Sequence, residues 1–144
     1  MRFFRIIEII LIAFIILGLA MRTGKLEGGV FITGIFLSQL AIYYFLFSVF
    51  VLNKPVRNAN GVDIAISILA GIPLSNLVVG ILFGLMRYNG ANELMMISLA
   101  LGGLTLLPVL VYFFKKRTKL LGRLIVRLGV LEIISLALFF GFSV

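Results

Sequence analysis

Five long apolar stretches, separated by four short polar connectors, occupy almost the whole chain. They cover residues 4–21, 30–52, 64–86, 94–114 and 124–144. A helix needs about 20 predominantly apolar residues to cross the hydrocarbon layer of a bilayer. Because that layer offers no water to the backbone, each stretch must pair its own amide and carbonyl groups, as a helix does. The pattern predicts an all-α, polytopic transmembrane helical bundle with five spans.

The fifth stretch is the least uniform, because it carries Arg127 and Glu132 within its apolar sequence. If it lay on the membrane surface, the number of spans would fall to four. With 144 residues nearly consumed by spans, we expect a single integral membrane domain over residues 1–144. The connectors are too short to form a hydrophobic core of their own.

The composition excludes most catalytic chemistry. Apolar residues make up 62% of the chain, against about 45–50% in soluble proteins. The sequence contains no His, Cys or Trp, which removes imidazole and thiolate metal sites, Ser-His triads and Cys nucleophiles. It also lacks a phosphate-binding glycine-rich motif. We therefore expect a protein that is not an enzyme, with no catalytic residues, no cofactor and no metal.

The basic residues are distributed unevenly between the two sides of the predicted membrane domain. In a five-span arrangement, the side that holds the amino terminus has ten of the 13 basic residues, and basic residues favour the cytoplasmic side. The ten are Arg2, Arg5, Lys54, Arg57, Lys115, Lys116, Arg117, Lys119, Arg123 and Arg127. We expect an amino terminus in the cytoplasm, a carboxyl terminus outside and a location in the cell membrane. The net charge of +8 lies in connectors, so it does not indicate nucleic-acid binding.

The first four helices are predicted to form two hairpins of the same orientation. Met21-Arg22 at the tip of the first hairpin matches Met86-Arg87 at the tip of the second. Each pair follows an apolar stretch and precedes a turn that contains glycine. The sequence thus suggests two repeated hairpins followed by a final helix, as in membrane proteins built from parallel repeats.

The tip of the second hairpin, residues 83–92, resembles a known membrane hairpin. GldL-type membrane proteins of gliding motility and type IX secretion show a Phe-Lys-Ile-x-His-Trp-Pro-Gly-Ala pattern between two transmembrane helices. Phe83, Gly90 and Ala91 match this pattern, and Tyr88 replaces its Trp. The resemblance covers only the tip and the helix ends beside it, and it implies a related membrane hairpin.

The chain differs from the pattern of the GldL-type proteins at three positions. Arg87 stands in place of the family's His, Asn89 in place of its Pro, and Gly102 lies about where the motor's intramembrane Glu is expected. The long cytoplasmic extension of the motor protein is missing as well. The resemblance therefore does not carry over a proton-driven motor.

Two acids, Glu8 and Glu132, lie inside apolar stretches. Glu8 follows Arg5 by three residues and Glu132 follows Arg127 by five, so both are expected at a similar shallow depth on the cytoplasmic side. A charge at the centre of a membrane helix costs about 2.5–3.5 kcal/mol on insertion scales. One interpretation is a proton or cation relay or a contact with a partner subunit. The other is an ion pair with Arg5, Arg123 or Arg127. Glu132 is the better functional candidate of the two.

The third helix combines small residues with a proline. Two rows at four-residue spacing predict close helix packing, and Pro73 frees one backbone carbonyl. One row is Ser67, Gly71 and Ser75, and the other is Asn76, Gly80 and Gly84. Alternatively, Pro73, Ser75 and Asn76 line a solute path, as broken helices do in transporters.

Polar side chains of the second helix require partners. Gln39 lies in mid-span, and we expect it to bond to Asn76 or to a serine. At least one of Tyr43 and Tyr44 is expected to bond within the bundle. Gln39, Tyr43 and Asn76 together would form either a binding site or a structural hydrogen-bond cluster.

The fourth connector continues into the last helix with a basic stripe. Its members share one helical face, and contact with anionic lipid headgroups is worth about 1 kcal/mol per basic residue. They are Lys116, Lys119, Arg123 and Arg127. Docking to an acidic partner protein is the alternative.

Together these features favour a small accessory or scaffold subunit of a larger membrane complex, with a protein partner or a homo-oligomer. The alternative function is a small channel or carrier for a proton, an ion or a small solute. That alternative requires the polar residues to converge on one cavity.

Overall fold

The computed structural model describes residues 2–52, 61–115 and 119–142, and these residues form helices without any strand. The helices are α1 (Arg2–Thr23), α2 (Gly29–Leu52), α3 (Gly61–Met86), α4 (Ala91–Lys115) and α5 (Lys119–Phe142). All five are long and apolar enough to span a membrane, α5 included. The predicted all-α fold is confirmed, and the chain is an integral membrane protein.

The third helix lies at the centre of the bundle. It packs against α2, α4 and α5, whereas α1 packs mainly against α2. Leu74, Leu77 and Val78 of α3 are fully buried. Because α1 and α5 make little contact with each other, the bundle has a gap between these two helices.

The two rows of small residues in α3 face different neighbours. Gly71 lies against Ser48 of α2, where an added Cβ would come within 2.8 Å of the serine Oγ. Gly80 lies against Ser98 of α4, where the corresponding distance would be 2.7 Å, and Gly84 also faces α4. One row therefore brings α2 close to α3, and the other brings α4 close.

The turns at the two hairpin tips have the same conformation. Lys25 (φ 55°) and Gly28 (φ 88°) in the first tip match Arg87 (φ 54°) and Gly90 (φ 80°) in the second. In each tip the basic residue follows the helix in a left-handed conformation. Its N–H donates to the carbonyl three residues earlier in the chain, and the N–H of the next residue donates to the carbonyl five residues earlier. This is the Schellman motif, here with Lys or Arg at the position that glycine usually occupies. The tips are thus equivalent, with Lys25 aligned to Arg87.

This alignment changes the repeat that the sequence suggested. When Lys25 corresponds to Arg87, the residue that corresponds to Arg22 is Gly84, so the two Met-Arg pairs are not equivalent. Arg22 still belongs to the last turn of α1, whereas Arg87 lies beyond the end of α3. Arg22 instead links the tips, because its Nη1 donates to the carbonyl of Leu85 at 2.5 Å. A cation there also complements the negative end of the α3 dipole.

Candidate functional site

Glu8 of α1 is held by groups from two other helices. Arg127 of α5 donates from Nε to Oε1 at 2.8 Å and from Nη2 to Oε2 at 2.7 Å. The hydroxyl of Tyr44 in α2 also donates to Oε1 at 2.8 Å. A bidentate guanidinium–carboxylate pair is among the strongest polar contacts in proteins. Glu8 is 6% exposed, so its charge is buried together with its counter-charge.

Neighbouring contacts strengthen the attachment of α1 and α5 to α2. The hydroxyl of Tyr43 donates to the carbonyl of Phe4 in α1. The Nη1 of Arg123 donates to the carbonyl of Leu52 at 2.9 Å, at the carboxyl end of α2 where carbonyls lack helical partners. Polar contacts at this level of the bundle therefore join three helices.

The members of the basic stripe have different contacts, so the expectation that all of them contact lipid headgroups is corrected. Arg123 and Arg127 direct their guanidinium groups to acceptors inside the bundle. A carboxylate and a free helix-end carbonyl in a low dielectric attract a guanidinium more strongly than solvated headgroups do. Lys119 is exposed, and its contact with headgroups stays a prediction. Lys116 lies outside the described residues.

A cleft of about 580 Å³ opens beside the Glu8–Arg127 pair, in the gap between α1 and α5. Its walls are apolar side chains of α1, α2, α3 and α5, including Ile12, Leu40, Ile81 and Ile134. Since the polar groups at its end already bond to one another, the cleft offers mainly apolar surface to an occupant.

Glu132 of α5 lies in a different environment. Its Oε1 is buried and has no hydrogen-bond partner within the described ranges. The carboxyl group lies against Gly102 of α4, where a Cβ would overlap Oε1. Ser135, three residues further along α5, is fully buried, and its Oγ also has no partner there. Over residues 2–52, 61–115 and 119–142, no group of three or more acidic residues could hold a metal ion.

The two acids do not lie at the same depth, contrary to the expectation from the sequence. Glu8 is level with Arg127, its partner, and Glu132 is five residues further along α5. At about 1.5 Å per residue, Glu132 lies about 7.5 Å deeper in the membrane domain. It is also about 20 Å from Lys119 at the start of α5. The spacing from the nearest arginine was a poor guide, because Arg127 itself lies inside the bundle.

Gln39 does not make the bond that the sequence predicted. Its side chain is exposed on α2 and has no hydrogen-bond partner among the residues that the structure describes. It lines a groove of about 730 Å³ between α2 and α3, together with Gly34, Ser38 and Tyr88. Tyr43 is on the buried side of α2. Gln39 and Tyr43 therefore do not belong to one polar cluster.

The remaining candidates belong to the α3 interfaces. Pro73 is buried in α3. The carbonyl of Asn76 accepts a hydrogen bond of 2.9 Å from Ser98 of α4, while Ser75 lines a second groove between α2 and α3. These three residues thus contribute to different contacts.

Sequence reasoning did not connect Glu132 with Gly102, which entered only through the hairpin comparison, or with Ser135 on the same helix. Ser135 had a signal, because residues three apart share a helical face. Gly102 had no such signal, since only the packing of α4 on α5 brings it to Glu132.

No protein-family model, curated protein or solved structure matches this chain. The resemblance of residues 83–92 to the GldL-type hairpin stays a prediction.

Proposed function

We propose that this protein is a non-enzymatic accessory or scaffold subunit of a larger membrane complex. Its α2–α3 face would receive a transmembrane helix of a partner protein. The observation that carries the proposal is Gln39, an exposed amide in mid-span without a partner among the described residues. An amide in an apolar environment without hydrogen bonds costs about 2–7 kcal/mol. A polar side chain of a partner helix would remove that cost.

The shape of this face suits a helix. The groove that contains Gln39 and a second groove of about 400 Å³ share Ser38 and Leu82, so the two grooves adjoin. Gly34, Ser38 and Ser75 lie along it, and small or hydroxyl residues permit close helix approach in membranes. The expected occupant is an apolar helix with one polar residue level with Gln39.

The channel or carrier alternative has less support. It requires Gln39, the tyrosines and an intramembrane acid to line one path. Glu8 and Tyr44 bond to each other beside the α1–α5 cleft, whereas Gln39 lines the α2–α3 groove. The distribution of basic residues further supports a cytoplasmic amino terminus in the cell membrane, with the Glu8–Arg127 pair towards the cytoplasmic side.

Photo-cross-linking in the native cell tests this function. A photoreactive amino acid replaces Gln39 in one variant and Leu104 in a control, which is 70% exposed on α4. The protein is then extracted in a mild detergent and purified through a tag on the carboxyl terminus. We expect one partner protein in stoichiometric yield, cross-linked from position 39 and not from position 104. Adducts only between copies of this chain, or equal adducts at both positions, would contradict the accessory function.

The substitution Gln39→Leu tests the amide itself. We expect recovery of the partner to fall about 3- to 30-fold, because a hydrogen bond between membrane helices is worth about 0.6–2 kcal/mol. Leu104→Ile serves as the matched control and should leave recovery unchanged. Undiminished recovery with Gln39→Leu would mean that the partner does not use this amide.

A further inference from the structure

Glu132 is distinguished from the other acids of the chain by what surrounds it. Glu8 is paired with Arg127, and Glu27 is exposed in the first hairpin tip. Asp63 and Glu93 are in the first turns of α3 and α4, where a negative charge complements the helix dipole. None of these explanations applies to Glu132, because it lies well inside α5.

The space around the Glu132 carboxyl group is apolar and closed on the bundle side. Gly102 and Leu77 line the position of Oε1, and this oxygen is buried without a hydrogen-bond donor in the described part of the chain. The side chain is partly exposed, but at this depth its exposed part meets hydrocarbon and not water. Among the described residues no hydrogen bond to Oε1 stabilises an ionised form, and the surrounding hydrocarbon supplies no water.

Among the side chains that the structure describes, no counter-charge compensates for this. The titratable side chains described on the helices that pack against α5 are Asp63 on α3, Glu93 and Tyr112 on α4, and Tyr43 and Tyr44 on α2. The first three lie near helix ends, and the last two belong to the cluster around Glu8. On α5 itself, Arg127 is bonded to Glu8, and Lys119 and Arg123 lie further towards the cytoplasmic end.

We propose that Glu132 is a proton-binding site within the membrane domain, whose carboxyl group is neutral when α5 is packed on Gly102. An unpaired buried carboxylate would cost far more than protonation, so the group neutralises instead. A proton fits the space better than a metal cation, because a cation requires several oxygen ligands and Ser135 offers one hydroxyl. This inference is independent of the accessory function, since it concerns the isolated chain.

A membrane-soluble carbodiimide, dicyclohexylcarbodiimide, is the probe. It reacts with a neutral carboxyl group, whose proton moves to one nitrogen of the reagent while a carboxyl oxygen adds to the central carbon. The acyl group then shifts from oxygen to nitrogen and gives a stable N-acylurea. No atom leaves, so the peptide gains the mass of one reagent molecule.

The experiment treats the purified full chain in phosphatidylcholine vesicles over a series of pH values, followed by mass mapping of the peptides. We expect modification at Glu132 that declines as the pH rises, no modification at Glu8 in the same molecules, and complete loss of the Glu132 adduct in Glu132→Gln. Equal modification of both acids would overturn the proposal. Protection of Glu132 by sodium ions at constant pH would also overturn it, because the ligand would then be a cation.

Infrared spectroscopy provides a second measurement that does not depend on access of the reagent. The difference spectrum between the original chain and Glu132→Gln should contain the carbonyl stretch of a neutral carboxyl group. The difference spectrum with Glu27→Gln, an exposed acid, should contain only carboxylate bands at neutral pH. Absence of the neutral band at Glu132 would overturn the proposal whether or not the reagent had formed an adduct.

Discussion

Glu8 and Glu132 are two acids in apolar helices with opposite surroundings. Around Glu8, α5 supplies a guanidinium and α2 supplies a hydroxyl, and together they donate three hydrogen bonds of 2.7–2.8 Å. Around Glu132, α4 supplies Gly102, and Oε1 has no donor within the described residues. Both acids lie within apolar helices, so the difference between them is in the donors that the neighbouring helices supply.

The two sites consequently suit different roles. The carboxylate of Glu8 is committed to holding α1, α2 and α5 together, and a change in its charge would disrupt that contact. The Oε1 atom of Glu132 bonds to no group in the described part of the chain, so it remains available to bind a ligand. Substitutions at and around the two acids test whether this difference holds.

The largest effect is expected for Arg127→Met, which removes the counter-charge of Glu8. Breaking a buried ion pair by removing one partner costs about 3–5 kcal/mol, because the remaining charge is left uncompensated. We expect the free energy of unfolding in mixed detergent micelles to fall by that amount, together with a lower level in the membrane. An unchanged free energy of unfolding would mean that the pair does not stabilise the fold.

The double substitution of Glu8→Gln with Arg127→Met provides the control for that experiment. It removes both charges and keeps an acceptor for Tyr44. Replacing a whole buried ion pair by neutral groups is often close to neutral in stability. Most of the loss should therefore be recovered, and failure to recover would indicate that Arg127 acts through packing and not through its charge.

A smaller effect is expected for Tyr44→Phe, which removes one donor to Glu8 and leaves the ion pair in place. A hydrogen bond to a charged group is worth about 1.5–3 kcal/mol, against about 0.5–1.5 kcal/mol for a neutral pair. Tyr43→Phe is the matched control, because its hydroxyl donates to the neutral carbonyl of Phe4. We expect Tyr44→Phe to lower the free energy of unfolding more than Tyr43→Phe. The reverse order would mean that Glu8 does not depend on Tyr44.

The stretches of the chain that form helices could be predicted from the sequence, because the bilayer requires apolar stretches of this length to be helical. An apolar stretch of the required length has no alternative to a helix in hydrocarbon, so all five helices were recognised, with their ends a few residues off. The largest difference is at α5, which begins at Lys119 and not at residue 124. The apolar stretch marks only the part that spans the membrane, and the helical face shared by Lys119, Arg123 and Arg127 already predicts that the helix begins in the connector.

The faces of the helices could not be predicted in the same way. A helix that is apolar on all sides gives no direction to its core, so Gln39 could be assigned to the interior although it is exposed. The partners of Glu8 and Glu132 come from helices distant in sequence, and Gly102 has meaning only through the packing of α4 on α5. The register of the repeat depends on turn conformation, which Lys25 and Arg87 adopt in place of the glycines that would have marked it.

The smallest effect is expected for Glu132→Gln, and it tests the contrast most directly because the same substitution can be made at Glu8. A neutral carboxyl group and an amide have almost the same size and shape, and volume-conserving replacements in a core usually cost less than about 1.5 kcal/mol. Glu8→Gln instead leaves Arg127 buried without its counter-charge, at a cost of about 3–5 kcal/mol. Unfolding measured in the same micelles should therefore separate the two variants clearly. Equal losses would mean that Glu132 also carries a structural charge, and the distinction between the two acids would fail.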